Sequence, residues 1–123
     1  MRRLKHFTFV GAVIAAFAGI ASAHSFPEKE DPAAGQTVAI TPPEIKIEFD
    51  APIEHLFAQL KVIGADGKDE ATNPPEIGPD SRTLSTRVSR LAPGDYTVEW
   101  GVVCIDTHHT SGSYKFTVAG DHS

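Results

Sequence analysis

Proline and glycine divide this chain into short apolar runs, and beyond residue 23 none of the runs has the apolar spacing of a long amphipathic helix. Residues 45–49 alternate strictly between apolar and charged side chains, as in a strand with one buried face. Further strand-length runs occupy residues 25–28, 36–40, 56–63, 83–88, 96–105 and 113–118. About seven short strands separated by turn residues predict an all-β, immunoglobulin-like sandwich.

The longest run contains the best candidate for the centre of the core. Tyr96, Val98, Trp100 and Val102 are spaced two apart, so in a strand their side chains lie on one face. Trp100 is the largest of these side chains. We therefore expect Trp100 to pack between the two sheets.

Residues 1–23 have the organisation of a cleaved signal peptide. Three positive charges precede an uncharged, apolar stretch from residue 7 to residue 20, and residues 21–23 (Ala-Ser-Ala) form a small-x-small cleavage site. The apolar stretch is shorter than the roughly 20 residues that span a membrane, although an uncleaved anchor is the alternative. Cleavage would leave 100 of the 123 residues, change the net charge from −5 to −8, and give a periplasmic or secreted protein with His24 first.

Histidine is the residue type most suggestive of chemistry in the mature chain. An N-terminal histidine offers its α-amine and its ring Nδ1 to one metal ion. The α-amine ordinarily has a pKa of roughly 7.7–8.0, low enough for a metal to displace its proton near neutral pH. Such a nitrogen pair suits Cu(II). His24 at this position is equally compatible with a cleavage site that precedes a histidine by chance.

Asp106 and His108 form the second notable group, where the longest run turns toward the last one. In extended backbone, residues two apart point the same way, which would aim a carboxylate and an imidazole at one point. The alternative is a turn in which Asp106 caps backbone amides and both histidines, His108 and His109, are solvated.

These features together resemble the CopC family of periplasmic copper-binding proteins. The resemblance covers nearly the whole mature chain, which would begin with histidine as family members do. The matching segments are the Pro-Ala-x-Gly turn at 32–35, the proline-then-strand segment at 42–49, Leu-x-Pro-Gly-x-Tyr-x-Val-x-Trp at 91–100, and Val-Val-x-x-Asp-x-His-x-x-x-Gly at 102–112.

The resemblance implies a Greek-key β-sandwich, spanning residues 24–120 with a short tail at 121–123, that holds one Cu(II) per chain. By position, the ligands would be the amine and Nδ1 of His24, a ring nitrogen of His108 and a carboxylate oxygen of Asp106. The implied role is a non-enzymatic, monomeric copper carrier or buffer in copper resistance or import. Its implied partner is a multi-spanning, CopD-like membrane copper transporter or another periplasmic copper protein.

Three positions depart from the family pattern. Ala51 replaces a glutamate that lies near the copper in many members, so Asp50 or Glu54 would have to supply its role. His109 stands where proline usually follows the metal-site histidine, as a solvated neighbour or an alternative ligand. Cys104 stands where a small polar residue is usual, as a buried small side chain or a thiolate near copper.

Composition limits the remaining functions. The mature chain has no methionine, which predicts a Cu(II) site and no thioether site for Cu(I). The negative charge argues against nucleic acid as a partner. A copper monooxygenase with an N-terminal histidine is an alternative, but Asp106 would fill the position that oxygen needs. A metal-free, immunoglobulin-like interaction module is the other alternative, because the fold alone does not determine function.

Overall fold

The structure, a computed structural model, describes residues 25–120 as two packed β-sheets. The expectations for residues 1–23, for His24 and for residues 121–123 lie outside this range. The strands are β1 (Pro27–Asp31), β2 (Thr37–Val38), β3 (Ile45–Phe49), β4 (Gln59–Ile63), β5 (Glu76–Ile77), β6 (Thr83–Thr86), β7 (Gly94–Val103) and β8 (His109–Val118). No helix capable of crossing a membrane occurs between residues 25 and 120. The expected all-β class is confirmed.

The first sheet has the strand order β1-β3-β6-β5 and the second has the order β2-β8-β7-β4. The long antiparallel hairpin of β7 and β8 forms the centre of the second sheet, and β2 pairs with β8 in parallel. The described part contains eight strands rather than about seven, because the two-residue β5 adds to β6. Strand β8 also begins at His109 rather than at residue 113. Its polar first half has no strand pattern of its own and is held by pairing with β7.

The core lies between the sheets and follows the two-residue alternation. Ile45, Ile47 and Phe49 of β3 are fully buried, while Lys46 between them is exposed. The expectation for Trp100 is confirmed, since only 8% of its surface is exposed. Its ring meets that of Phe49 edge-on at a centroid distance of 5.3 Å, which joins the two sheets.

Three segments meet at one end of this sandwich. The turn at residues 104–108 connects β7 to β8, residues 25–26 precede β1, and residues 50–57 follow β3. Ile53 forms a β-bridge with Cys104, and the Glu54 N–H donates to the Val103 carbonyl oxygen at 2.8 Å. We call this end, formed by residues 25–26, 50–57 and 104–108, the site end.

Candidate metal centre

The turn at the site end is a tight hairpin connection with a defined backbone geometry. The Cys104 N–H donates to the His108 carbonyl oxygen, and the Thr107 N–H donates to the Cys104 carbonyl oxygen, both at 2.8 Å. Thr107 adopts a left-handed conformation with φ of 75°. A three-residue loop whose last residue is left-handed is a common way to close a hairpin. The turn therefore fixes the direction in which the Asp106 and His108 side chains leave the backbone.

The Asp106 carboxylate and the His108 imidazole are in contact. Asp106 Oδ1 accepts the His108 backbone N–H at 3.2 Å, and Oδ2 lies 3.2 Å from the ring Nδ1. The side chains are 35% and 61% exposed, respectively, so solvent and dissolved ions reach both. The structure thus brings together the two sequence-predicted residues that lie within the described range. Asp106 also caps a backbone amide, that of His108, as the alternative interpretation of this segment expects.

The chain before β1 is fastened to the same end. Ser25 is fully buried, and its N–H donates to Cys104 Sγ at 3.0 Å. Its carbonyl oxygen accepts the Thr110 hydroxyl at 2.9 Å, and its own hydroxyl donates to the Pro52 carbonyl oxygen at 3.1 Å. Ser25 is therefore held from three directions beside the turn that carries Asp106 and His108.

His24, the third predicted ligand, lies outside the described residues. Between residues 25 and 120 there is no group of three or more His, Cys, Asp or Glu side chains close enough to hold a metal ion. The described part of the site therefore consists of the Asp106–His108 pair. His24 directly precedes Ser25 in the sequence.

The residues that depart from the family pattern have distinct surroundings. Cys104 is buried, with 2% of its surface exposed, as expected for a small side chain on the sheet face. Asp50 Oδ1 accepts the Phe26 N–H at 2.9 Å, so this carboxylate lies beside the N-terminal segment next to Ala51. His109 is exposed and pairs with Val103, and strand alternation directs it to the face opposite Thr110.

Sequence reasoning missed the part played by Ser25 and Thr110. Their contacts join positions separated by 79 residues in one case and 85 in the other, and no local pattern marks them. The only indication in the sequence was the unusual cysteine at position 104, whose thiol accepts one of these hydrogen bonds.

Comparison with known proteins agrees with this architecture. The model of the CopC domain matches residues 27–119. Protein YobA of Escherichia coli (strain K12) is 34% identical over 98 residues, which cover 78% of this chain and 79% of YobA. Copper transport protein CutJ of Bacillus subtilis (strain 168) is 31% identical over 98 residues, and the chain spans only 18% of its length.

Solved structures give the same result. The crystal structure of CopC from Methylosinus trichosporium OB3b matches with a TM-score of 0.75 and 29% identity, covering 81% of this chain and 98% of that one. PcoC, a methionine-rich copper resistance protein from Escherichia coli, matches with a TM-score of 0.67 and 28% identity. The match covers 78% of this chain and 99% of PcoC. Where these descriptions name a role, it is copper transport or resistance rather than catalysis, which agrees with the expectation of a non-enzyme. The sequence of this chain, its fold and the match over residues 27–119 establish that it belongs to the CopC family of copper resistance and transport proteins.

Proposed function

We propose that this protein is a periplasmic carrier or buffer that binds one Cu(II) ion at the site end. The ligands are the α-amine and ring Nδ1 of His24, the imidazole of His108 and the carboxylate of Asp106. The observation that carries the proposal is the burial of Ser25 against the turn that bears the Asp106–His108 pair. Consecutive Cα atoms are about 3.8 Å apart. A mature chain that begins at His24 therefore has its first Cα within about 3.8 Å of the Cα of Ser25, the residue that contacts the turn.

The donor set suits Cu(II) in both atom type and number. Three nitrogens and one oxygen match the tetragonal N,O coordination that Cu(II) prefers. Asp106 Oδ2 lies 3.2 Å from Nδ1 of His108, so a carboxylate oxygen and a ring nitrogen are already close together beside the turn. In the proposed site Asp106 contributes an oxygen ligand. Its negative charge also offsets part of the charge of the ion.

The surface around this pair supports transfer of the ion to another protein. Five large apolar side chains are exposed in the described part of the chain, and only Ile40 lies away from the site end. The other four are Phe26, Leu56, Phe57 and Ile105, which are 48%, 68%, 75% and 57% exposed. Clustered exposed apolar side chains are typical of interaction surfaces.

The proposed partner is a membrane copper transporter of the CopD type. The relative CutJ is described as a copper transport protein, and the matched segment forms 18% of its length, so a domain like this one occurs within a longer transport protein. Changing both Leu56 and Phe57 to serine should leave Cu(II) affinity unchanged and alter copper accumulation by cells. Unchanged accumulation would argue against docking through these side chains.

The test of copper binding uses mature protein with a native His24 terminus. Competition titration with a chromophoric Cu(II) chelator should give one tight site, and the electron paramagnetic resonance spectrum should report predominantly nitrogen ligands. His24→Ala, Asp106→Ala and His108→Ala should each weaken binding, and one extra residue before His24 should do so sharply. His109→Ala is the matched control and should bind as the unaltered protein does. Weak binding, or binding indifferent to the first three changes, contradicts the proposal.

Binding should also depend on pH in a defined direction. The amine and the imidazoles must be free of protons to bind the ion, so acidification releases copper. An affinity that stays constant between about pH 5 and pH 8 would contradict a site built on an amine and imidazoles.

A further inference from the structure

We infer that Cys104 and Thr110 are positioning residues for the metal site, acting through Ser25. This inference rests on the proposed function, because it concerns how the chain holds the residue that precedes Ser25. Cys104 Sγ accepts the Ser25 N–H at 3.0 Å, and the Thr110 hydroxyl donates to the Ser25 carbonyl oxygen at 2.9 Å. The two side chains thus hold both backbone polar groups of Ser25.

Cys104 is well placed for this task because its backbone is itself fixed. Its N–H and carbonyl oxygen both bond within the turn, to His108 and Thr107, and the residue bridges Ile53. The same residue therefore closes the turn through its backbone and holds the N-terminal segment through its thiol. A shift of the turn relative to Ser25 would break the Sγ contact, so the two halves of the site stay in register.

The physical gain is pre-organisation. A ligand on a free chain end loses backbone freedom when it binds, and this loss weakens the affinity. Because Ser25 is already fixed in the metal-free protein, the part of this loss that belongs to Ser25 is not paid when the ion binds. The effect of removing one neutral hydrogen bond from this arrangement should be about a five- to tenfold weaker affinity.

The experiment compares variants that delete each contact with variants that keep it. Cys104→Ala and Thr110→Val remove the acceptor and the donor, whereas Cys104→Ser and Thr110→Ser retain a hydroxyl that can replace them. Thr117→Val is the matched control, because its hydroxyl donates to Asp95 at 2.7 Å at the opposite end of β8. Each variant is measured for Cu(II) affinity by chelator competition and, without metal, for amide hydrogen exchange at Ser25.

Cys104→Ala and Thr110→Val should each weaken Cu(II) binding about five- to tenfold and accelerate Ser25 exchange. Both serine variants and Thr117→Val should behave as the unaltered protein. If both deletions leave affinity and exchange unchanged, or if the serine variants lose as much as the deletions, the inference is wrong. Thr110→Val carries the test alone if Cys104→Ala does not fold. The exchange measurement is made without copper, so it tests the contacts even if the proposed function fails.

A second readout uses the thiol itself. Cys104 is buried and its thiol lies against the Ser25 N–H, so N-ethylmaleimide should react faster when this segment lifts away. Copper bound through His24 holds the segment down, and linkage then requires slower alkylation of the copper-loaded protein. Equal alkylation rates with and without Cu(II), followed by mass spectrometry, would overturn the coupling between the thiol and the metal site.

Discussion

Gly112 and Trp100 face each other across β7 and β8, and a Cβ added to Gly112 would lie 2.8 Å from Cζ2 of the indole. The two other nearest atoms of that ring would be 3.1 and 3.2 Å away. The missing side chain at position 112 therefore provides the space in which Trp100 lies against Phe49. This glycine closes the family-like segment at 102–112, and its role is to admit the core tryptophan.

Gly112→Ala should lower the free energy of unfolding by about 1–3 kcal/mol, because overpacking forces the indole or the strand to move. Gly101→Ala is the matched control, since a Cβ there meets nothing nearer than the Ser111 Cβ at 3.9 Å. Urea denaturation followed by fluorescence of the single tryptophan measures both. Equal effects of the two substitutions would contradict the packing argument.

Thr107→Gly should raise the free energy of unfolding by about 1 kcal/mol. Thr107 is β-branched and has a φ of 75°, a conformation that costs L-residues energy and glycine little. Thr97→Gly, in the regular part of β7, is the control and should destabilise the protein by a similar amount. Thermal unfolding of the metal-free variants shows which substitution stabilises the protein and which destabilises it. A destabilising Thr107→Gly would mean that the threonine hydroxyl, which donates to the Asp106 carbonyl oxygen, outweighs the backbone strain.

Tyr114 should make the protein sensitive to alkali. Its hydroxyl is buried without a hydrogen-bond partner among the described residues, and burial, assisted by Glu30 and Asp31, raises the pKa of Tyr114 well above its usual value. Above about pH 10 the unfolded chain loses this proton while the folded chain keeps it. The folded state then binds more protons, so the free energy of unfolding falls as pH rises.

Tyr114→Phe should flatten this decline and, near pH 7, leave stability unchanged or raise it by about 1 kcal/mol, since an unsatisfied group is removed. Tyr96→Phe is the contrasting variant, because the Tyr96 hydroxyl donates to the Ala92 carbonyl oxygen at 2.6 Å. It should lose about 1 kcal/mol at pH 7. Denaturation curves between pH 7 and pH 11 make the comparison. A Tyr114→Phe variant as alkali-sensitive as the unaltered protein would refute it.

Asp106→Asn should weaken Cu(II) binding by about 10- to 100-fold or more, because replacing even a group that only orients a metal ligand typically costs that much and Asp106 is proposed as a ligand itself. The amide keeps the size of the side chain and loses its charge. Asp95→Asn, at the other end of the hairpin, is the control for the general effect of charge and should alter affinity little. Chelator competition on both variants decides the matter, and equal affinities would remove Asp106 from the site.

Much of the fold could be read from the sequence because its determinants are local. Alternation identified β3 and the buried face of β7, and the turn residues separated the strands. The two-residue β5 and the first half of β8 carry too few apolar side chains to be recognised. They are strands because a neighbouring strand supplies their hydrogen bonds. The Asp106–His108 contact was expected from their spacing in extended backbone, whereas the structure forms it in a turn whose Thr107 is left-handed.

The sequence by itself determined the fold class, the core tryptophan and the residues of the turn, because each depends on neighbours within a few positions. Only the tertiary structure decided which distant residue completes that turn. Ser25 meets Cys104 and Thr110 across 79 and 85 residues because the two sheets pack with β1 and the β7–β8 turn at the same end. Hydrogen bonds of this kind depend on the packing of whole sheets, and no run of residues encodes them locally.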